Sequence, residues 1–183
     1  MWRAEYCGII VLKANPTKMP KINEKKYQNI ILYLSSKLGG KLKGKKKLAK
    51  LLYYADFDFF EKYEKPITGE LYKSLPMGPF PVHMEDILKI LEKAKKIEIK
   101  NENTGGGYNP TEVYLAKTKP DTSVFTEKEI KILDRVVLKY GHLTGKQLED
   151  LSHSEAPYIG TAPGKEIAYE LSFYRGTDFA DNA

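Results

Sequence analysis

Ile67-Thr-Gly-Glu-Leu-Tyr-Lys-Ser-Leu-Pro-Met-Gly-Pro-Phe-Pro-Val82 is the stretch that decides how this chain is read. Neither helix nor strand periodicity accounts for it. Gly69, Pro76, Gly78, Pro79 and Pro81 fall within thirteen residues. Glycine admits positive φ and close backbone approach, while proline locks φ near about −65° and donates no hydrogen bond. Between them stand Leu71, Tyr72, Leu75, Met77 and Phe80, too apolar for an ordinary polar linker. A loop both stiff and apolar is either packed on a core or built to be touched, and the two can coexist.

On the N-terminal side, Tyr27, Ile30, Ile31, Leu34 and Leu38 recur at helical spacing, which predicts an amphipathic helix over 24–38 ended by Gly39-Gly40. Residues 45–63 predict a central helix with Leu48, Leu51, Leu52, Ala55 and Phe59 as its buried stripe and Tyr53, Phe57 and Phe60 as a second apolar face. Asp56 and Asp58 are unusual in so apolar a helix, because a buried carboxylate needs partners. Asp56 either accepts bonds from the backbone or hydroxyl around Thr68, pinning the stiff loop to the helix, or sits solvated on an exposed edge.

On the C-terminal side, Met84, Ile87, Leu88 and Leu91 predict a helix over 80–95. Residues 97–100 and 112–116 alternate with period two around a Gly-rich tip at 103–110, which reads as a β-hairpin with a mobile tip. Thr126-Glu-Lys-Glu129 is a capping box opening a helix to Tyr140, with Ile130, Leu133, Val137 and Tyr140 inward, and Thr144-Gly-Lys-Gln147 opens a short helix to about Ser152. A helical segment over 165–174 closes the chain. The fold class is thus mainly α with minor β: a single domain of about six helices and one β-hairpin. Leu34, Leu38, Leu48, Leu51, Leu52, Ala55, Phe59, Leu88, Leu91, Ile130, Leu133 and Val137 are its expected core.

The run Lys47-Leu-Ala-Lys-Leu-Leu-Tyr-Tyr-Ala-Asp-Phe57, then Ile67-Thr-Gly-x-x-Tyr72 and Leu75-Pro-x-Gly-Pro-x-Pro81, resembles the Panacea domain of SocA-like antitoxins. Tyr140-Gly141, Leu151-Ser-His-x-Glu155 and Tyr169-Glu-Leu-Ser-Phe-Tyr174 extend the resemblance from about Asn23 to Arg175. It implies an antitoxin of a type II toxin–antitoxin system that neutralises a cognate toxin protein by direct contact, in one variant as an adaptor delivering the toxin to a protease. Stiff apolar loops supply contact area at small entropic cost, and aromatic side chains are the usual anchors. The expected anchors are therefore Tyr72, Leu75, Met77 and Phe80, where exposed. Thr68, Gly69, Gly78, Pro79 and Pro81 would hold the loop's shape. Lys43, Lys46, Lys47 and Lys50 would complement an acidic toxin face and raise the on-rate.

Residues 1–18 lack a helical pattern and read as an N-terminal extension, with Met19 a plausible alternative start or 6–12 an edge strand; the domain runs over 19–175, and 176–183 read as a frayed tail. With 183 residues and the single Cys7, the chain has room for one sizeable core and no intramolecular disulfide, which fits a cytoplasmic protein without a membrane span. No HExxH, GxSxG or phosphate-loop motif occurs, and His83, His142 and His153 stand at no metal-ligand spacing. Ser152 reads as helix-ending chemistry and His153 with Glu155 as a turn anchor. No enzymatic activity, cofactor or metal is expected. The net charge of +6 includes nine lysines and no acidic residue from Lys25 to Ala55, yet only Arg3, Arg135 and Arg175 are arginines. Arginine is the residue favoured for clamping phosphates and reading bases. A winged-helix-like nucleic-acid-binding regulator is therefore the alternative, and a phage or mobile-element accessory protein a third reading.

Overall fold

A computed structural model describes residues 21–103 and 110–180. Helix α1 (Glu24–Lys37) starts at Asn23, whose side chain accepts the Lys26 N–H, and leads through Gly39-Gly40 to strand β1 (Lys41–Lys43). Helix α2 (Lys45–Tyr63) is the axle of the fold: every residue from Leu48 to Phe59 is buried. A helix apolar nearly all round must be covered on every side. Here the cover comes from helix α4 (Glu127–Tyr140), helix α5 (Gly145–His153), the 3₁₀ segment Tyr169–Tyr174 and the strand pair β2 (Tyr72–Leu75) and β3 (Gly78–Pro81). Helix α3 (Met84–Lys93) lies against α1 and against strand β4 (Ile97–Glu102). Strand β5 (Thr111–Ala116) is central in an antiparallel sheet of order β1-β5-β4. Helix α6 (Ala156–Ile159) is one short turn with Pro157.

The structure is mainly helical with some β, but it holds two sheets where the sequence predicts one hairpin. The predicted 97–116 hairpin gains β1 as a third strand, and part of its tip, 104–109, lies outside the described residues, as does the 1–18 extension. The second sheet is the stiff stretch itself. Tyr72 pairs with Pro81, Lys73 with Phe80, Ser74 with Pro79 and Leu75 with Gly78, across a Pro76-Met77 turn. Prolines obscure the strand pattern because they cannot donate to a ladder. Here Val82 N–H donates to Leu71 O (2.9 Å), so the alternating antiparallel pattern makes the Tyr72–Pro81 and Ser74–Pro79 pairs the non-bonded ones. Both proline nitrogens thus face away from β2. The other edge of β2 is filled by residues 164–167, with Ser74 N–H donating to Lys165 O and Ile167 N–H to Tyr72 O.

Two boundaries shift for related reasons. The third helix starts at Met84 rather than Phe80, because Phe80 and Pro81 belong to β3. The closing segment is a 3₁₀ helix from Tyr169, since the residues before it pair with β2. Both capping boxes form. Helix α4, however, turns Ile132, Leu133, Val136 and Tyr140 inward and leaves Ile130 and Val137 half-buried. Arg135 and Glu129 set that rotation, reaching inward to Asp58 (2.5 Å) and to Lys26 (2.5 Å). Leu38 is likewise only half-buried; the rest of the predicted core is buried.

Candidate partner-binding face

Two buried polar clusters hold the β2–β3 hairpin and a third ties the C-terminal segment behind it; each begins on α2. At the hairpin's base, Asp56 accepts the Thr68 N–H (2.7 Å), the Thr68 hydroxyl (2.5 Å) and the Tyr72 hydroxyl (2.9 Å). Three donors satisfy a carboxylate that burial pushes up to about 6. Thr68 Oγ1 in turn accepts the Glu70 N–H, and Thr68 O accepts the Asn23 N–H, tying the same turn to the start of α1. Glu70 accepts the backbone N–H groups of Leu71 and His83 and contacts His83 Nδ1 at 2.7 Å, which clamps the two ends of the hairpin together.

At the hairpin's middle, Lys50 is only 1 % exposed and donates to Pro79 O (2.7 Å). That carbonyl is available because Pro79 stands in a non-bonded pair with Ser74 and turns its C=O away from β2. Burial lowers the Lys50 ammonium to about 7, the nearby Lys46 charge adding to the effect and the Glu149 carboxylate opposing it. Gly78 has φ +87°, and a Cβ there would stand 2.7 Å from Lys50 Nζ, 2.9 Å from Ser152 Oγ and 3.1 Å from His153 Cδ2. This glycine therefore lets α2, α5 and the hairpin meet. His153 stacks on Tyr158 (4.2 Å between centroids, 8° between planes), and the Tyr158 hydroxyl donates to Leu75 O (3.1 Å).

Behind the hairpin, the third cluster uses two of the chain's three arginines. Asp58 lies 2.5 Å from Arg135 Nη1 and 2.8 Å from Arg175 Nη1. Arg175 Nη2 also reaches Glu155 (3.2 Å), which accepts the Tyr53 hydroxyl (2.9 Å). Burial raises the Glu155 carboxyl, against the pull of Arg175. The tail joins in: Thr177 donates through N–H and hydroxyl to Glu61, and Arg135 Nη2 donates to Asp178 O. A buried charge whose partner is removed is strongly destabilising, so this network ties the C-terminal segment to α2 and α4.

These clusters sort the expected contact residues. Tyr72 is 1 % exposed and bonded to Asp56, so it is core and cannot anchor a partner in this state. Phe80 and Leu75 are half-buried, and Met77, at the turn, is 60 % exposed. Asp56, Thr68, Gly78, Pro79, Ser152, His153 and Glu155 all belong to the clusters just described, and Gly69 sits at φ +72° in the turn beside Thr68. Pro81 is buried in β3.

The lysine stretch pairs largely with groups of the same chain, through solvent-accessible side chains for Lys41, Lys43 and Lys45. Lys41 and Lys43 pair with Glu102, Lys45 with Glu85 and Lys46 with Glu149, while Lys47 donates to Gly141 O (2.6 Å). Around the hairpin turn the accessible apolar side chains are Met77, half-buried Leu75 and Tyr158, Leu151 on α5, and Ile159 at 69 % exposure on α6. These side chains lie on elements that meet at the Tyr158–Leu75 bond. Tyr158 and Ile159 escape sequence reading because a four-residue helix has no periodicity to read. For the Asp58 network the sequence offered Asp58 itself, a carboxylate in so apolar a helix, but nothing local pointed to Arg135 and Arg175 as its partners.

The fold and this face define a helical domain that presents a braced hairpin turn. Among the described residues no group of three or more His, Cys, Asp or Glu could hold a metal ion, and no helix is long and apolar enough to cross a membrane. The family model "Antitoxin SocA-like, Panacea domain" matches residues 48–158, and the chain belongs to this family. The matched segment runs from α2 to Tyr158, so it contains the hairpin and the Lys50 and Asp56 clusters but not Arg175. Neither curated proteins nor solved structures yield a match.

Proposed function

We propose that this protein is a non-enzymatic antitoxin of a type II toxin–antitoxin system, and that it binds its toxin through the hairpin turn and α6. The observation that carries the reading is a pair of exposed apolar side chains, Met77 at the hairpin turn and Ile159 on α6, on two elements joined by the Tyr158–Leu75 hydrogen bond, with the hairpin braced by two buried polar clusters. A pre-ordered apolar projection loses little entropy on binding, and family membership points to a toxin as the occupant. The lysine stretch supports an electrostatic role less well, since its charges are matched by Glu85, Glu102 and Glu149 within the chain. The same pairing weakens the nucleic-acid reading, which needs free cations for phosphates.

Co-expression with the product of the adjacent reading frame tests the proposal. The neighbour should arrest growth alone, and this protein should restore growth and co-purify with it. Met77→Asp combined with Ile159→Asp should abolish rescue and co-purification while leaving the circular dichroism spectrum unchanged. Undiminished rescue by the folded double variant would move the contact elsewhere. Rescue that needs a particular host protease would place the antitoxin in the adaptor class.

A further inference from the structure

The three-stranded sheet has an edge that its hydrogen-bond pattern leaves open. Lys117 N–H donates to Lys96 O (2.8 Å), which sets the alternation along β4. In an antiparallel pair, alternate residues turn their N–H and C=O toward the neighbour. Lys96, Glu98, Lys100 and Glu102 thus face β5, while Ile97, Ile99 and Asn101 direct theirs outward. The opposite side of β5 agrees with this count: Ala116 N–H donates to Gly40 O and Glu112 O accepts the Gly44 N–H, so those residues face β1. Among the described residues nothing pairs with the outer edge of β4. It contrasts with the second sheet, where residues 164–167 fill one edge and two prolines blunt the other.

We propose that this edge pairs with the same edge of a second copy of the chain, antiparallel and centred on Ile99, joining two three-stranded sheets into one of six strands. Charge complementarity selects both the occupant and the register. About Ile99 the segment Lys96-Ile-Glu-Ile-Lys-Asn-Glu102 is self-complementary. Lys96 comes opposite Glu102 of the partner subunit, Glu98 opposite the partner's Lys100, Ile97 opposite the partner's Asn101, and Ile99 opposite the partner's Ile99. The outward-facing residues then meet only outward-facing ones, so six backbone hydrogen bonds form. A slip of the centre to Glu98 or Lys100 would put like charges face to face, and like charges directly opposite destabilise a sheet. On the other face of β4, Ile97 is buried, Ile99 is half-buried, and Ile90 on the underlying α3 is exposed. Pairing would continue that apolar strip across the two-fold axis. Within one chain Glu98 already bonds Lys100 and Lys117, so the inter-chain pairs extend an existing charge ladder. This inference does not depend on the toxin reading.

Sedimentation velocity on the full chain, with single charge reversals and their mixture, tests it. The wild type should self-associate to a dimer that weakens as salt rises. Glu98→Lys puts two lysines opposite each other at both symmetric positions, and Lys100→Glu does the same with glutamates. Each variant alone should weaken the dimer by at least about tenfold. An equimolar mixture should restore it as a heterodimer, because the two reversed chains complement one another. Restoration also shows that each variant is folded. A wild type that stays monomeric at every concentration overturns the proposal. So does a dimer indifferent to both reversals, which would place the interface elsewhere, or a mixture that stays monomeric.

Discussion

Replacing Gly78 by alanine isolates the contact on which the hairpin's position rests. Two costs add. An L-residue at φ +87° enters the left-handed region, at about 1–2 kcal/mol. The new methyl would also stand 2.7 Å from Lys50 Nζ and 2.9 Å from Ser152 Oγ. The flexible end of Lys50 gives way first, which takes its donor from Pro79 O. An unsatisfied buried group of that kind costs about 1–3 kcal/mol, for a total of roughly 2–5 kcal/mol. Gly40→Ala is the matched control: it sits at φ +81° with no atom within 4 Å of the new methyl, so only the backbone term of about 1–2 kcal/mol applies. With a urea m-value of about 2 kcal/mol per molar, the Gly78 variant should lower the unfolding midpoint by about 1–2.5 M and the Gly40 variant by under about 1 M. Indistinguishable midpoints for the two variants would refute the packing argument, leaving glycine at 78 to be explained by its backbone angle alone.

Lys50 makes stability depend on pH with a definite sign. Its folded pKa of about 7 lies below the ordinary 10.5, so between those values the unfolded chain holds more protons and stability climbs as pH rises. Lys50→Met should flatten that climb by roughly 2 kcal/mol between pH 7 and pH 9, read from urea midpoints of variant and wild type at both pH values; an unchanged slope would mean that Lys50 is not the group responsible. Arg175→Met strips cationic partners from Asp58 and Glu155 and should cost about 3–5 kcal/mol, lowering the melting temperature by about 10 °C; a melt within two degrees of wild type would show the network to be dispensable. Tyr72→Phe removes one bond to Asp56 and should cost about 1–2 kcal/mol without weakening toxin neutralisation, because the side chain is core; loss of neutralisation by a folded variant would contradict that placement.

Helix positions were legible where periodicity and capping chemistry agreed. Thr126 with Glu129 and Thr144 with Gln147 announce the starts of α4 and α5 within a few residues, because a capping box is a local hydrogen-bond pattern. The inward face of α4 was less legible. Apolar spacing favoured Ile130 and Val137, but the rotation of α4 follows Glu129 and Arg135, whose partners Lys26 and Asp58 are about 100 and 77 residues away. The stiff stretch was recognised as the part that matters, yet it read as a loop. Its prolines suit a strand only because one edge of that strand faces Lys50 rather than another strand. For Asp56 the sequence left two environments open, and the structure buries it against Thr68 and Tyr72.

The sequence by itself determined the family, the helical class, the placement of caps and turns, and the prominence of residues 67–82, since each depends on neighbours a few positions apart. Tertiary structure decided which of those residues can be touched. Tyr72 and Met77 are five positions apart and similarly apolar, yet one closes over Asp56 in the core and the other stands in solvent. It likewise turned a run of lysines into internal ties, because their carboxylate partners lie on other elements of the fold. Exposure and pairing are sums over everything that packs nearby, and no local pattern in the chain encodes that sum.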